Sequence, residues 1–234
     1  TFLGAHDIPL EYRDRRRDYV DLIINEMIPA VAAERLAVFC DVFMEPGAFE
    51  RAETERILTA ARDHGLQLKL HADEFENSGA AELAASLGAT SADHLGAISD
   101  AGIDALAQSG TVATLLPATL FFLGKTSYAP ARRLLDAGAT VALATDYNPG
   151  TAPSSSMPLV LTMACSQMRM TPWEAITAAT QGGARALRLD DVGVIRAGAQ
   201  ADLVLWQVAD YREIPYRFGS PPISGVWTRG VRVF

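Results

Sequence analysis

From residue 1 to about residue 144 the chain alternates between short apolar runs and longer stretches whose apolar positions recur three and four apart. The runs at residues 1–5, 36–42, 66–71, 90–93, 111–115 and 140–144 read as strands. Residues 19–33, 51–64, 79–87, 99–108 and 129–137 read as helices. Gly65, Gly88, Gly110 and Gly138 follow four of them, where a left-handed cap releases the chain into the next strand. Six β-then-α units in a row predict a parallel sheet with right-handed crossovers.

An open doubly wound sheet and a closed barrel both fit this alternation, and the polar residues discriminate between them. An open sheet gathers its ligand groups at one switch point, whereas a barrel draws them from the ends of several strands. His6, Asp41, His71, His94 and Asp146 stand at or near the ends of five different runs, which favours an α/β fold of the TIM-type (β/α)8 barrel class. Beyond Asp146 the pattern changes. Residues 156–189 read as helices, with Thr171, Pro172 and Glu174 supplying an N-cap, a first-turn proline and an acidic first turn. Short strands follow at 202–208 and 225–233, the second broken by the turn Thr228-Arg229-Gly230. The expected organisation is a barrel domain over residues 1–190 and a small β-sandwich appendage over 191–234.

The net charge of −8 argues against a nucleic-acid partner, which normally needs a basic stripe. The one basic cluster, Arg13 to Arg17, is interleaved with Asp14 and Asp18 and reads as a solvated helix face. The most apolar stretch, residues 111–124, contains Pro117 and is shorter than the ~20 residues of a membrane span; no signal peptide is visible. Cys40 and Cys165, far apart in apolar surroundings, suit a reducing compartment and burial as small hydrophobes. The first residue is not methionine and falls inside a predicted strand.

Candidate chemistry lies in Leu70-His71-Ala72-Asp73-Glu74-Phe75 and Ala144-Thr145-Asp146-Tyr147-Asn148-Pro149-Gly150. Each residue also has a plainer reading: a strand-end histidine as a hydrogen-bonding group, Asp146 as a cap of the turn after it, Glu74 as a solvated loop acid. His64, before the cap at Gly65, reads as structural. Repetition of histidines at matching strand ends favours metal-assisted hydrolysis. Imidazole and carboxylate suit Zn2+ or Fe2+, Glu74 can hold or deprotonate water, and a histidine can donate to a developing oxyanion.

These segments, with Thr1-Phe2-Leu3-Gly4-Ala5-His6, Ser91-Ala92-Asp93-His94-Leu95, Met168-Arg169-Met170-Thr171-Pro172 and the tail from Ala201 to Trp206 and Tyr211 to Gly219, resemble the imidazolonepropionases of the amidohydrolase superfamily. The resemblance implies hydrolysis of the cyclic amide of 4-imidazolone-5-propanoate to N-formimidoyl-L-glutamate in histidine degradation. It implies one Zn2+ or iron (Fe2+/Fe3+) ion per subunit held by His71 and Asp146, with Asp146 also moving a proton. Glu74 would contact the substrate ring and the attacking water, His94 would polarise the carbonyl, and His6, Asn148, Gly150 and Thr151 would bind substrate. Serine is usual in that family where Thr151 stands. A cytoplasmic homodimer acting on a small molecule is implied as well. The superfamily also takes two metal ligands from a His-x-His motif that is absent here, so the six strands are expected to be the third to eighth of a barrel. On that expectation the chain is the C-terminal part of a longer enzyme and is inactive alone. The alternatives are another cyclic amidohydrolase, a deaminase, or a barrel remnant without catalysis.

Overall fold

The computed structural model describes all residues, 1–234. Strands β1 (Phe2–Ala5), β2 (Phe39–Met44), β3 (Gln67–Ala72), β4 (Ser91–His94), β5 (Val112–Leu115) and β6 (Val141–Leu143) form one six-stranded sheet in strict sequence order. The pairings β1–β2, β2–β3 and β3–β4 are parallel. An order that never reverses is that of a β/α barrel; a doubly wound sheet turns back at its switch point. The chain divides into two compact units, Thr1–Ala113 and Thr114–Phe234, so the division falls within β5.

In the first unit a 3-10 turn (Leu10–Arg15), helix α1 (Arg16–Leu22), a π-turn (Ile23–Met27) and helix α2 (Ile28–Ala33) make one nearly continuous helical stretch. It starts earlier than the sequence pattern suggests. Helices α3 (Arg51–Asp63), α4 (Ala80–Ser86) and α5 (Asp100–Ser109) follow the next three strands. The core contains Ile23, Ile57, Leu58, Leu70, Leu83 and Leu106. The β2 and β3 strands are buried along most of their length, as expected for parallel strands covered on both faces. Arg16 is not part of a solvated face: its guanidinium grips both Glu53 carboxylate oxygens at 2.7 and 2.6 Å and ties α1 to α3. The expected strand at 36–42 is displaced to Phe39–Met44, because Leu36 and Val38 are solvent-exposed residues of the preceding turn.

The second unit holds α6 (Pro117–Phe122), α7 (Ala131–Asp136), α8 (Met157–Gln167), α9 (Pro172–Thr177), a π-turn (Ala178–Gly182) and α10 (Gly183–Ala186). Strand β7 (Leu203–Trp206), helix α11 (Glu213–Tyr216) and strands β8 (Ile223–Thr228) and β9 (Val231–Arg232) complete it. These last three strands form an antiparallel sheet. Thr171 and Glu174 make the expected capping box at α9. Gly182 lies so close to β6 that a Cβ there would sit 2.2 Å from the Val141 carbonyl oxygen; only glycine lets this backbone approach. Both cysteines are free, Cys40 buried and Cys165 half-buried. Burial, aided by Asp41, pushes the Cys40 thiol up to about 12, which leaves it a packing residue. No helix is long and apolar enough to cross a membrane.

Candidate metal and active site

In the first unit His6 after β1, Asp41 in the middle of β2 and His71 near the end of β3 come together, with ligand-capable atoms within 4.8 Å of one another. Register explains part of this. Asp41 is paired with Lys69 and Phe43 with His71, so alternate residues of β2 and β3 share a face. His71 Nδ1 lies 2.8 Å from Asp41 Oδ1. His6 Nε2 is 3.4 Å from the same oxygen but lacks hydrogen-bond geometry, and no other group bonds that buried atom. Burial would raise the Asp41 carboxyl, but the facing histidines His71 and His6 overrule it and hold the group well below the usual carboxylate range. An ionised Asp41 therefore takes the proton-bearing Nδ1 of His71 and leaves the lone pair of the neutral ring on Nε2, the arrangement a metal-binding imidazole needs.

His94 ends β4 in a left-handed conformation, φ 78°, and Leu95 follows at φ 62°. Strict alternation would put His94 on the face of its register partner Ala72. The left-handed bend breaks that alternation, and the ring packs 5.0 Å from that of His71. Its Nδ1 is 3.4 Å from Glu74 Oε1, both side chains being buried. Burial, reinforced by the neighbouring His71 and opposed by Asp41, holds the His94 imidazole well below 6.5. Beneath this group Lys69 donates to Ser91 Oγ at 2.9 Å and lies over the Phe39 ring.

Two carboxylates shape the loop that carries Glu74. Glu45 accepts from the backbone N–H groups of Glu74, Phe75 and Glu76 at 3.3, 2.9 and 2.7 Å. Burial pushes the Glu45 carboxyl up while those N–H groups pull it down. Asp73, fully buried and left-handed at φ 48°, accepts from Ser78 N, Ser78 Oγ, Ala80 N and Ala81 N at 2.8, 3.1, 3.2 and 3.0 Å. Non-glycine residues in this region of backbone space are strained and concentrate at functional sites.

In the second unit Asp146 follows β6, also left-handed at φ 53°. Thr119 of α6, fully buried, donates to Asp146 Oδ2 at 2.6 Å. The next loop is organised by Asn148. Its Nδ2 donates to the Asp146 carbonyl at 2.7 Å and to Thr151 Oγ1 at 3.1 Å, while its Oδ1 accepts from Gly150 N and Thr151 N at 2.9 and 2.8 Å. Both ends of this carboxamide are used inside the loop.

Of the residues singled out by sequence, the structure thus gathers His6, His71, Glu74 and His94 into one group, and Asp146, Asn148, Gly150 and Thr151 into another. Asp41 is legible in the sequence only as one more strand-end acid. Glu45, Asp73 and Thr119 have no sequence role at all; the turn residues Pro46-Gly47 after Glu45 are their one local signal.

A model of the amidohydrolase family matches residues 34–233. The chain is 52% identical over 220 residues to an imidazolonepropionase of Parabacteroides distasonis, covering 94% of this chain and 53% of that protein. It is 47% identical over 235 residues to the imidazolonepropionase of Solibacter usitatus, covering 100% and 56%. The chain spans about half the length of the curated relatives it matches. Among solved structures, an adenosine deaminase of Xanthomonas campestris with bound zinc superposes with a TM-score of 0.75 at 22% identity, over 98% of this chain and 59% of that one. An atrazine chlorohydrolase of Arthrobacter aurescens complexed with zinc gives 0.73 at 19% identity, over 90% and 55%. At those identities the likeness is one of fold.

Proposed function

The chain belongs to the amidohydrolase family, and from that premise we propose that it is the part of an imidazolonepropionase that carries much of its metal-binding and catalytic machinery, with residues 191–234 as a small β appendage. The reaction is hydrolysis of the cyclic amide of 4-imidazolone-5-propanoate to N-formimidoyl-L-glutamate. The observation that carries the reading is the packed set His6, Asp41 and His71, in a chain about half identical to enzymes of that name.

The donors suit a metal ion. An imidazole oriented by an ionised carboxylate and a further strand-end carboxylate at Asp146 are nitrogen and oxygen ligands of the kind zinc or iron takes, and the buried His6 Nε2 beside His71 has no hydrogen-bond partner of its own. His71 and Asp146 would hold one ion per subunit, Asp41 acting on His71 from behind. When bound, that ion supplies Lewis-acid activation of water and of the amide carbonyl.

The residues of the chain supply the rest. Asp146, steadied by Thr119, accepts and returns a proton. Glu74 accepts from the ring N–H of the substrate and orients the attacking water. His94, kept neutral by burial, donates its N–H to the carbonyl oxygen as negative charge develops there, the role of an oxyanion-hole donor. His6 and the backbone of the loop at Gly150 and Thr151 bind substrate, Asn148 fixing the loop for them. The enzyme is a cytoplasmic homodimer in this reading.

The test is metal content and imidazolone propionate hydrolysis by the protein extended upstream to the length of its relatives. One zinc or iron per chain, with turnover and metal both lost in His71→Ala, is expected. Metal without hydrolysis of this substrate, or ammonia release from a cyclic amine instead, would move the assignment elsewhere in the family.

A further inference from the structure

We propose that Glu45 is a positioning residue for Glu74: it holds the loop after β3 in the one shape that presents the Glu74 carboxylate to His94. This rests on the reaction proposed above, in which Glu74 touches substrate. The geometry is specific. Three consecutive backbone N–H groups, those of Glu74, Phe75 and Glu76, converge on one carboxylate that arrives from the end of the neighbouring strand, 29 to 31 residues away. Consecutive N–H groups of this kind form a concave anion site; here the chain fills it with its own anion, and charge-assisted bonds are the strong ones.

Glu45 is itself fixed. Its carbonyl accepts from Ala48 N at 2.9 Å across a turn in which Gly47 has φ 92°, and Phe49 N returns to the Phe43 carbonyl at 3.0 Å. The Phe49 side chain is buried and anchors the far end of the turn. Asp73 secures the downstream side of the loop through Ser78, Ala80 and Ala81. Glu74 therefore emerges from backbone pinned on both sides. With its own N–H bonded to Glu45 and its Oε1 3.4 Å from His94 Nδ1, a shift of the loop moves the reacting carboxylate directly. Glu45 is 7% exposed and its carboxylate bonds the loop backbone, so its effect on chemistry passes through Glu74.

The experiment is a double-substitution cycle in the full-length holoenzyme, using Glu45→Ala, Glu45→Gln and Glu74→Gln, with amide hydrogen exchange on each protein. Glu45→Ala is expected to lower kcat by about 10- to 100-fold with metal content unchanged, since misplacement of a reacting group by about 1 Å has effects of up to that size. In the Glu74→Gln background the same substitution is expected to cost less than about threefold more, because coupled residues do not add. Glu45→Gln keeps an acceptor for Phe75 and Glu76 and is expected to restore most of the activity. Exchange at residues 75 and 76 should quicken in Glu45→Ala while exchange at Ala81 stays slow. Equal losses of kcat in the two backgrounds, or unchanged exchange at 75 and 76, would overturn the proposal. Absence of imidazolone propionate turnover in the unsubstituted enzyme would defeat the function proposed above, and the exchange data alone would then decide whether Glu45 holds the loop.

Discussion

The loops that follow β3 and β6 solve the same problem in opposite ways. After β3, residues 73–81 are held by carboxylates, Glu45 reaching across from the end of β2 and Asp73 bridging forward to the start of α4. After β6, Thr119 fixes Asp146, and residues 148–152 are organised by the Asn148 carboxamide and the Asn148 N–Ala152 O bond, all between near neighbours in sequence. The first loop is held by two buried acids although Phe75, Glu76 and Asn77 at its tip are exposed, and its shape depends on the whole β2–β3 region being folded. The second is half-exposed and uncharged in its internal bonding, so it can take its shape locally. A deeply buried acid is worth its desolvation only when several donors meet it; at a water-exposed turn a neutral amide does the same work with no charge to bury.

The largest effect should follow from breaking the first arrangement. Replacing Asp73 by Ala strands the buried backbone donors at Ala80 and Ala81 and frees the half-buried one at Ser78, and at ~1–3 kcal/mol for a stranded donor the chain should lose at least ~2 kcal/mol in urea unfolding. Next, Asp41→Asn keeps the size of the side chain but removes its charge behind His71. Metal affinity of the full-length protein is expected to fall about 10- to 100-fold, read by competition with a chelator. Asn148→Ala should be milder, about 1 to 2 kcal/mol, with the loss confined to amide exchange at residues 150 and 151. A loss at Asn148 as large as that at Asp73 would erase the contrast between the loops.

The smallest effect, a pH dependence, sharpens it. His94 faces His71, His6, Asp41 and Glu74, and its folded-state pKa is depressed below the ordinary 6.5. The unfolded chain thus binds the extra proton first. The stability associated with a neutral His94 is complete above pH 6.5 and is lost as the pH falls below it, by at most ~1.4 kcal/mol per pH unit. Urea midpoints of metal-free protein between pH 7.5 and 5 should show this slope, and His94→Asn should flatten it. The bonds of the Asn148 carboxamide join neutral groups and should keep their local amide protection across the same range.

Much of the fold was legible because buried parallel strands are short apolar runs and the helices between them stop at glycines. The errors have physical causes. Leu36 and Val38 are apolar yet exposed, so the second strand was placed too early. The strand at 111–115 was read correctly, but the helix after it was missed: Pro117 sits in the first turn of α6, where its missing N–H costs nothing. The π-turns within the helices at 23–27 and 178–182 carry no composition signal. In the site, polar side chains at or near predicted strand ends were visible, His6, Asp41, His71, His94 and Asp146 among them, although Asp41 stands in the middle of β2. Glu45, Asp73 and Thr119 were not, since each acts by accepting or donating a bond whose partner is fixed by tertiary structure and not by spacing.

The three bonds to Glu45 come from main-chain N–H groups, which every amino acid except proline possesses. The side chains at 75 and 76 are therefore free to drift without disturbing the clamp, while position 45 has no partner whose change could compensate for its own. In an alignment of relatives this should appear as an acidic column that varies with no other, accompanied by an exclusion of proline at three neighbouring positions about thirty residues downstream. Methods that infer contacts from paired variation would pass over it, although it fixes the loop beside the reacting carboxylate.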